Sequence, residues 1–199
     1  MRAQPPNLLQ IHREALQAGA EAAYDAIEAD TARLCAALGC PHPYLALTAL
    51  TGSPEVWFLN GFASQAEQQH VIEAYAKNAP LMTALKRNSE AKSALTAKPV
   101  GIFASHRPDL SRGVPWEPGT SRFLVITATT STRQVDGTVF ETAEAIRLIV
   151  VPADTRRETD AIAALAAAES HILAVRPDWS FPAKEWIAAD PAFWPSRPL

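Results

Sequence analysis

Strand-like and helix-like runs follow one another in the first half of the chain as β-α-β-β-α-β. That order predicts an α+β fold built on the split βαβ unit of the ferredoxin-like class, with an antiparallel sheet. Three observations carry this expectation. Residues 8–16 alternate apolar and polar side chains, and residues 18–38 repeat apolar ones at helical spacing. The runs 44–50 and 55–62 flank Thr51-Gly52-Ser53-Pro54, a turn sequence, ahead of a helix opening at Ser64. Such a unit covers one sheet face with helices and leaves the other face to a second layer.

Taken in order, Leu9, Ile11 and Arg13 alternate with Leu8, Gln10, His12 and Glu14, a strand with one polar face. Gly19 leads into a helix whose Tyr24, Ile27, Thr31, Leu34 and Leu38 form a stripe. Gly39 is its expected C-terminal cap, and Pro41 and Pro43 block continuation. Ser64-Gln65-Ala66-Glu67 is a capping box for the second helix, with Val71, Ala74 and Tyr75 on its apolar stripe. Asn78 and Pro80 open a separate helix over residues 79–95, ended by Lys98-Pro99. Residues 100–106 close the unit, so the first domain is read as 1–106.

Residues 107–121, punctuated by Pro108, Gly113, Pro115, Pro118 and Gly119, form a loop long enough to be a lid or strap. Two strand-like runs follow, 122–133 and 139–151, joined at Asp136-Gly137. Thr155-Arg156-Arg157-Glu158 caps a helix expected to bury Ile162, Leu165, Ile172 and Leu173. Residues 122–175 thus read as a ββα unit, either a degenerate second copy or an extension of the same sheet. The tail, 176–199, carries Trp179, Phe181, Trp186, Phe193 and Trp194. Rings of this size bury about 150–250 Å² each, so the tail is expected to dock, on its own chain or on a partner.

Composition narrows the function classes. The 199 residues are 48% hydrophobic and 20% charged, with a formal charge of −3, a globular profile without pull toward nucleic acid or anionic lipid. No apolar run is long enough for a bilayer, and the N-terminus has no secretory pattern, so a cytoplasmic location is expected. Cys35 and Cys40, the only cysteines, fit no common zinc spacing and read as a buried helical thiol and one just past the helix end. No glycine-rich phosphate loop and no clustered ligand spacing occurs, so neither cofactor nor metal is expected.

The opening Ile11-His12-Arg13-Glu14-x-Leu16-x-x-Gly19-x-Glu21-x-x-Tyr24 resembles the first strand and helix of the dimeric α/β-barrel superfamily, nearest its antibiotic-biosynthesis-monooxygenase-like and NIPSNAP-like branches. Val56-Trp57-Phe58-Leu59-Asn60, then a helix with His70 and Tyr75, is similar to their third strand and second helix. The resemblance covers about the first half of the chain. It implies two ferredoxin-like sheets paired face to face, between subunits or duplicated halves, with a small-molecule pocket between sheet and helices. A homodimer is therefore expected. Some branches oxidise quinone-like aromatics without a cofactor. The haem-degrading branch sets an Asn on the first strand, a Trp on the third and a His on the second helix. Trp57 and His70 fall on the matching elements, and His12 stands on the first strand.

His12 and His106 are the candidate catalytic residues, because imidazole titrates near neutrality and can act as a general base. A structural reading stands beside His12, as a hydrogen-bonded histidine at a dimer seam. Arg13, Trp57, Phe58, Asn60, His70, Tyr75 and Trp116 are the candidate ligand-lining residues. Trp57 and Phe58 must face opposite sides of their strand, and Asn60 shares Phe58's side. Asn60 before Gly61 also fits a bulge. A five-residue spacing separates His70 from Tyr75 on their helix, with Tyr75 the more buried. His42 and His171 read as surface positions. Two functions fit: a cofactor-independent oxygenase acting on a quinone-like aromatic, or a non-catalytic dimeric binding or stress-related module. Haem binding or degradation is a third, minor alternative.

Overall fold

The computed structural model describes residues 4–97, 99–131, 136–165 and 170–194. Met1, Arg2, Ala3, Lys98 and Arg133, which parts of the sequence reading use, lie outside these ranges. The side chain of Leu165 is likewise not described. The first unit runs β1 (Leu8–Ala15), α1 (Glu21–Ala37), β2 (Leu45–Ala49), β3 (Glu55–Phe62), α2 (Gln65–Lys77), α3 (Ala79–Lys92) and β4 (Val100–His106). The remainder runs β5 (Phe123–Thr129), β6 (Thr138–Thr142), β7 (Arg147–Ala153), α4 (Arg156–Leu165), β8 (Ser170–Val175) and α5 (Lys184–Ala189).

Local chemistry fixes the helix ends. Ser64 accepts from the Glu67 amide at 3.1 Å, and Glu67 accepts in return from the Ala63 amide. Asn78 caps α3 through the Leu81 amide at 3.2 Å. Thr155 and Glu158 do the same for α4. Gly39, at φ 70°, ends α1 in a left-handed turn.

The strands close into one barrel in the order β1-β3-β2-β8-β5-β7-β6-β4, with every pairing antiparallel. Cut at the β2–β8 and β4–β6 seams, it yields two four-stranded sheets. Each has its fourth strand beside its first, then its third, then its second. The second half is therefore a degenerate copy of the first unit, and it supplies the layer that the first sheet needs. The expected homodimer rested on an uncovered sheet face, and that face is closed within this one chain.

Two segments of the second half differ from the sequence reading. The run 139–151 is two strands, β6 and β7, folded over a turn in which Ala145 takes φ 60°. Neither glycine nor proline marks that turn. Residues 170–175 are a strand, not the end of a helix. Ile172 and Leu173 pack there as β8, between β5 and β2. Among the described residues the copy thus reads β-β-β-α-β, with no counterpart to α1 and with α4 alone where the first unit has α2 and α3.

The barrel interior is filled. Leu9, Ile11, Leu47, Trp57, Leu59, Leu124, Ile126, Phe140, Val150 and Leu173 all point inward and are buried. One end is stoppered by Trp116 from the 107–121 loop and by Trp194, both essentially buried, with Trp186, Ile187 and Phe193 around them. Trp194 Nε1 donates to the Gly119 carbonyl at 3.1 Å, and Trp186 lies so close to Gly119 that no Cβ fits there. The described part of the tail, residues 176–194, docks on its own chain. A second apolar cluster lies outside the barrel, under the helices, where Tyr24, Cys35, Tyr44, Val56, Leu81 and Trp179 meet. Burying a large apolar side chain contributes about 1.5–3 kcal/mol, so both clusters matter to stability.

Candidate functional site

The register sorts the candidate residues between two faces. Leu9, Ile11 and Arg13 of β1 point into the barrel, and Gln10, His12 and Glu14 point outward toward the helices. His12 therefore does not face the second layer. Arg13 does face inward, with its guanidinium 4.2 Å from the Trp57 ring centre and paired to both oxygens of Glu55. Trp57 Nε1 donates to Glu55 at 2.9 Å, and His171 stands 5.0 Å from the Trp57 ring. This group consumes its own charges and ties the end of the barrel together.

His106 also faces inward, 5.5 Å from Phe140. Its Nε2 lies 3.2 Å from Ser111 Oγ, which donates to the Arg107 carbonyl and accepts from the Val139 amide. Ser111 is thus saturated and no nucleophile; it pins the 107–121 loop to β6. Burial pushes the His106 imidazole below its usual range. His12 and His106 stand on opposite faces of the sheet and serve no common ligand. Trp116 is core, not lining.

On the outer face, the pairing lays out a lattice. His12 lies between Phe58 and Gly101, and Gln10 lies between Asn60 and Phe103. Gly101 has open space where a side chain would be, and Phe103 is 58% exposed. The His12 and Phe58 rings are 6.2 Å apart. The result is a shelf on β3, β1 and β4 with an imidazole at its centre and aromatic rings to either side. Asn60 belongs to it. No bulge occurs at Asn60–Gly61, because the pairing with Gln10 and Leu9 is continuous. Gly61 is glycine for another reason: Pro6 sits where its Cβ would go.

Behind the shelf is a buried charged cluster that the sequence reading missed. His12 Nε2 lies 2.9 Å from Glu14 Oε1, and the Tyr24 hydroxyl donates to Glu14 Oε2 at 2.5 Å. Lys92 Nζ stands 3.5 Å from Glu14 and 2.5 Å from Glu28, the latter an ion pair by distance without hydrogen-bond direction. Burial pushes the Glu14 carboxyl up. The bond from His12, the charge of Lys92 and the phenol of Tyr24 outweigh burial and hold it down at about 2. Glu28, deeper, is pushed up by burial against the pull of Lys92. Burial, with Glu28 and Glu14 beside it, also raises Tyr24, which stays a donor.

This arrangement has a chemical consequence. An ionised carboxylate only accepts, so the proton on neutral His12 sits on Nε2, leaving Nδ1 as the basic atom. The cluster thus orients the His12 imidazole from behind. Only pairing in space reveals it, since Glu14 and Lys92 are 78 residues apart.

The other candidates lie elsewhere. His70 is exposed on α2, and Tyr75 is half-buried with its hydroxyl 2.9 Å from Cys40 Sγ. His42 is not a surface residue: it stacks on Phe62 at 4.5 Å and binds the Gly61 carbonyl at 3.0 Å. Neither is His171, which points into the barrel. Trp57 and His70 fall on opposite sides of the sheet, so they do not converge on a haem.

Two open grooves, of about 460 and 640 Å³, lie away from His12. The first runs between α1 and the β2–β8 seam. Its Arg176 is already taken by Asp25 and Asp178 and stacked on Trp179. Its Glu55 is taken by Arg13. The shelf, not the grooves, holds the unspent chemistry.

No family model and no curated protein matches the chain. Among solved structures, it is similar to a protein of Lactobacillus acidophilus provisionally named a monooxygenase. That match has 9% identity and TM-score 0.48, covering 86% of this chain and 94% of that one. A NIPSNAP family protein of Agrobacterium tumefaciens matches at 13% identity and TM-score 0.40, over 54% of this chain and 93% of that one. A mutant chlorite dismutase of Candidatus Nitrospira defluvii matches at 6% identity and TM-score 0.46, over 87% and 92%. The fold itself stands on the strand order: an α/β barrel of two ferredoxin-like sheets, closed within a single chain.

Proposed function

We propose that this barrel binds a small aromatic molecule with an acidic hydroxyl on the outer shelf of β1 and β4, with His12 as general base. The observation that carries this reading is the His12–Glu14 pair, which leaves Nδ1 free of any partner among the described residues, beside Phe58 and the exposed Phe103. Arene contact would come from the two phenylalanines, and Asn60 and Gln10 would orient ring oxygens. For a quinol-type substrate, proton abstraction by His12 yields an electron-rich anion that dioxygen can oxidise. One oxygen atom enters a ring carbon and the other leaves as water, with one hydrogen from that carbon and the hydroxyl proton taken by His12. The chain's residues bind, orient and move the proton; dioxygen supplies the oxidising power.

The test is oxygen uptake with an anthrone or naphthoquinol under air. His12→Ala is expected to cut turnover by about 10²–10⁴-fold, the usual worth of a positioned base, in a protein that stays folded at the assay temperature. Unaltered turnover removes His12 from the mechanism.

A second reading has its own observation. The barrel interior is filled, and the shelf is open rather than enclosed, with all of Gly101, Phe103 and Ser105 exposed. A non-catalytic module would use this same surface to contact a second copy. Light scattering distinguishes the two: loss of a dimer in Phe103→Glu, with no oxygen uptake by the parent, favours the module.

A further inference from the structure

The Cys35 and Cys40 thiols meet at the C-terminal end of α1, away from the shelf. The left-handed turn at Gly39 folds the chain back so that the Cys40 amide donates to the Cys35 carbonyl at 2.8 Å. Both side chains then fall in the same buried cluster. Two phenols attend them. Tyr75 Oη is 2.9 Å from Cys40 Sγ, and the Tyr44 hydroxyl points to Cys35 Sγ at 3.8 Å. The Cys40 thiol also donates to the His42 carbonyl at 3.3 Å. Packing alone calls for no second sulfur here, and still less for a phenol aimed at one.

We propose that Cys35 and Cys40 are a reversible oxidation site, a dithiol that closes to an intrachain disulfide when it meets a hydroperoxide.

The geometry divides the labour. Cys35 beside it lowers the Cys40 thiol, burial opposes this, and the bond from Tyr75 joins in, leaving Cys40 at about 7. Cys40 beside it and burial push Cys35 up. Cys40, the less buried of the two and the one the Tyr75 phenol touches, therefore attacks. Its thiolate takes one peroxide oxygen, the O–O bond breaks, and the other oxygen leaves as alcohol or water after gaining a proton. The resulting Cys40 sulfenic acid is attacked by the Cys35 sulfur. The S–S bond forms, and the sulfenic oxygen departs as water with the Cys35 proton. Two thiols and one hydroperoxide thus become one disulfide, one alcohol or water, and one water; an external dithiol reverses it. Cys40 keeps 9% of its surface exposed, beside the exposed Gly39. The backbone bond across the turn brings the two residues within the reach of a disulfide, whose Cα atoms lie about 5.5–6 Å apart.

The test uses the full chain at neutral pH with one equivalent of hydrogen peroxide, followed by denaturation, maleimide labelling and mass measurement. The expected product is two hydrogens lighter, takes no maleimide, and regains both labels after dithiothreitol. Cys35→Ser is expected to stop at a sulfenic acid trapped by dimedone, and Cys40→Ser to resist oxidation. Tyr75→Phe should slow the reaction by about threefold through a smaller thiolate fraction. If the serine variants fail to fold, the parent's mass and the Tyr75→Phe rate still decide. Two maleimide labels on the treated parent, a disulfide between chains, or a sulfinic Cys40 beside a free Cys35 overturns the proposal.

Discussion

The two halves of the barrel share a strand order but not an outer coat. In the first, α1 and α3 cover β1 and β3 and trap Glu14, Glu28, Tyr24 and Lys92 beneath them. In the second, the described residues hold no helix between β5 and β6, and α4 packs on β5, β7 and β8. The buried polar groups of β5, the strand matching β1, are uncharged: Thr127 Oγ1 meets Ser170 Oγ at 2.8 Å. One half therefore holds titratable chemistry, and the other closes the barrel. The second sheet still pairs strand to strand throughout and to the first sheet at both seams, so its pairing does not depend on a full set of helices.

The contrast can be broken most sharply at Lys92. Lys92→Met leaves two buried carboxylates without their cation, and is expected to cost about 3–5 kcal/mol in urea unfolding. A loss under 1 kcal/mol would mean that the cluster is not a coupled unit.

Acid probes the same cluster. Glu14 has a folded pKa of about 2 against 4.5 unperturbed, so its stabilisation is fully present above 4.5 and is lost as pH falls from there toward 2. The shift corresponds to about 3 kcal/mol, and Glu14→Gln should flatten the stability profile over that window. An unchanged profile would locate the acid sensitivity outside the first half.

In the second half, Thr127→Val exchanges one neutral hydrogen bond for apolar contact, with an expected loss of about 1 kcal/mol. A loss as large as that at Lys92 would erase the distinction between the halves. The smallest effect is expected at exposed His70: His70→Ala should stay within about 0.5 kcal/mol of the parent and leave oxygen uptake unchanged.

How much of this was legible follows from local chemistry. The first half is punctuated by Gly39, Pro41, Gly52-Ser53-Pro54 and the caps at Ser64 and Asn78, and its element order reads directly. The β6–β7 turn has neither glycine nor proline. The β8 run Ser170-His171-Ile172-Leu173 follows an alanine-rich helix and gives no local sign of changing period. His12 was visible as a strand histidine, but which face it takes depends on which side the helices lie. Glu14 and Lys92 give no local signal of their pairing. His42 and His171 look polar and solvated in sequence, and packing against Phe62 and Trp57 overrides that appearance.

Because β8 pairs with β2 and β6 with β4, the barrel seals only after nearly the whole chain has left the ribosome. Until then the nascent first sheet presents Leu9, Ile11, Leu47 and Trp57 unshielded, a sticky surface at the vulnerable stage of biogenesis. A ribosome stalled before Ser170 would thus release a product suited to chaperone capture or degradation, not a smaller working protein.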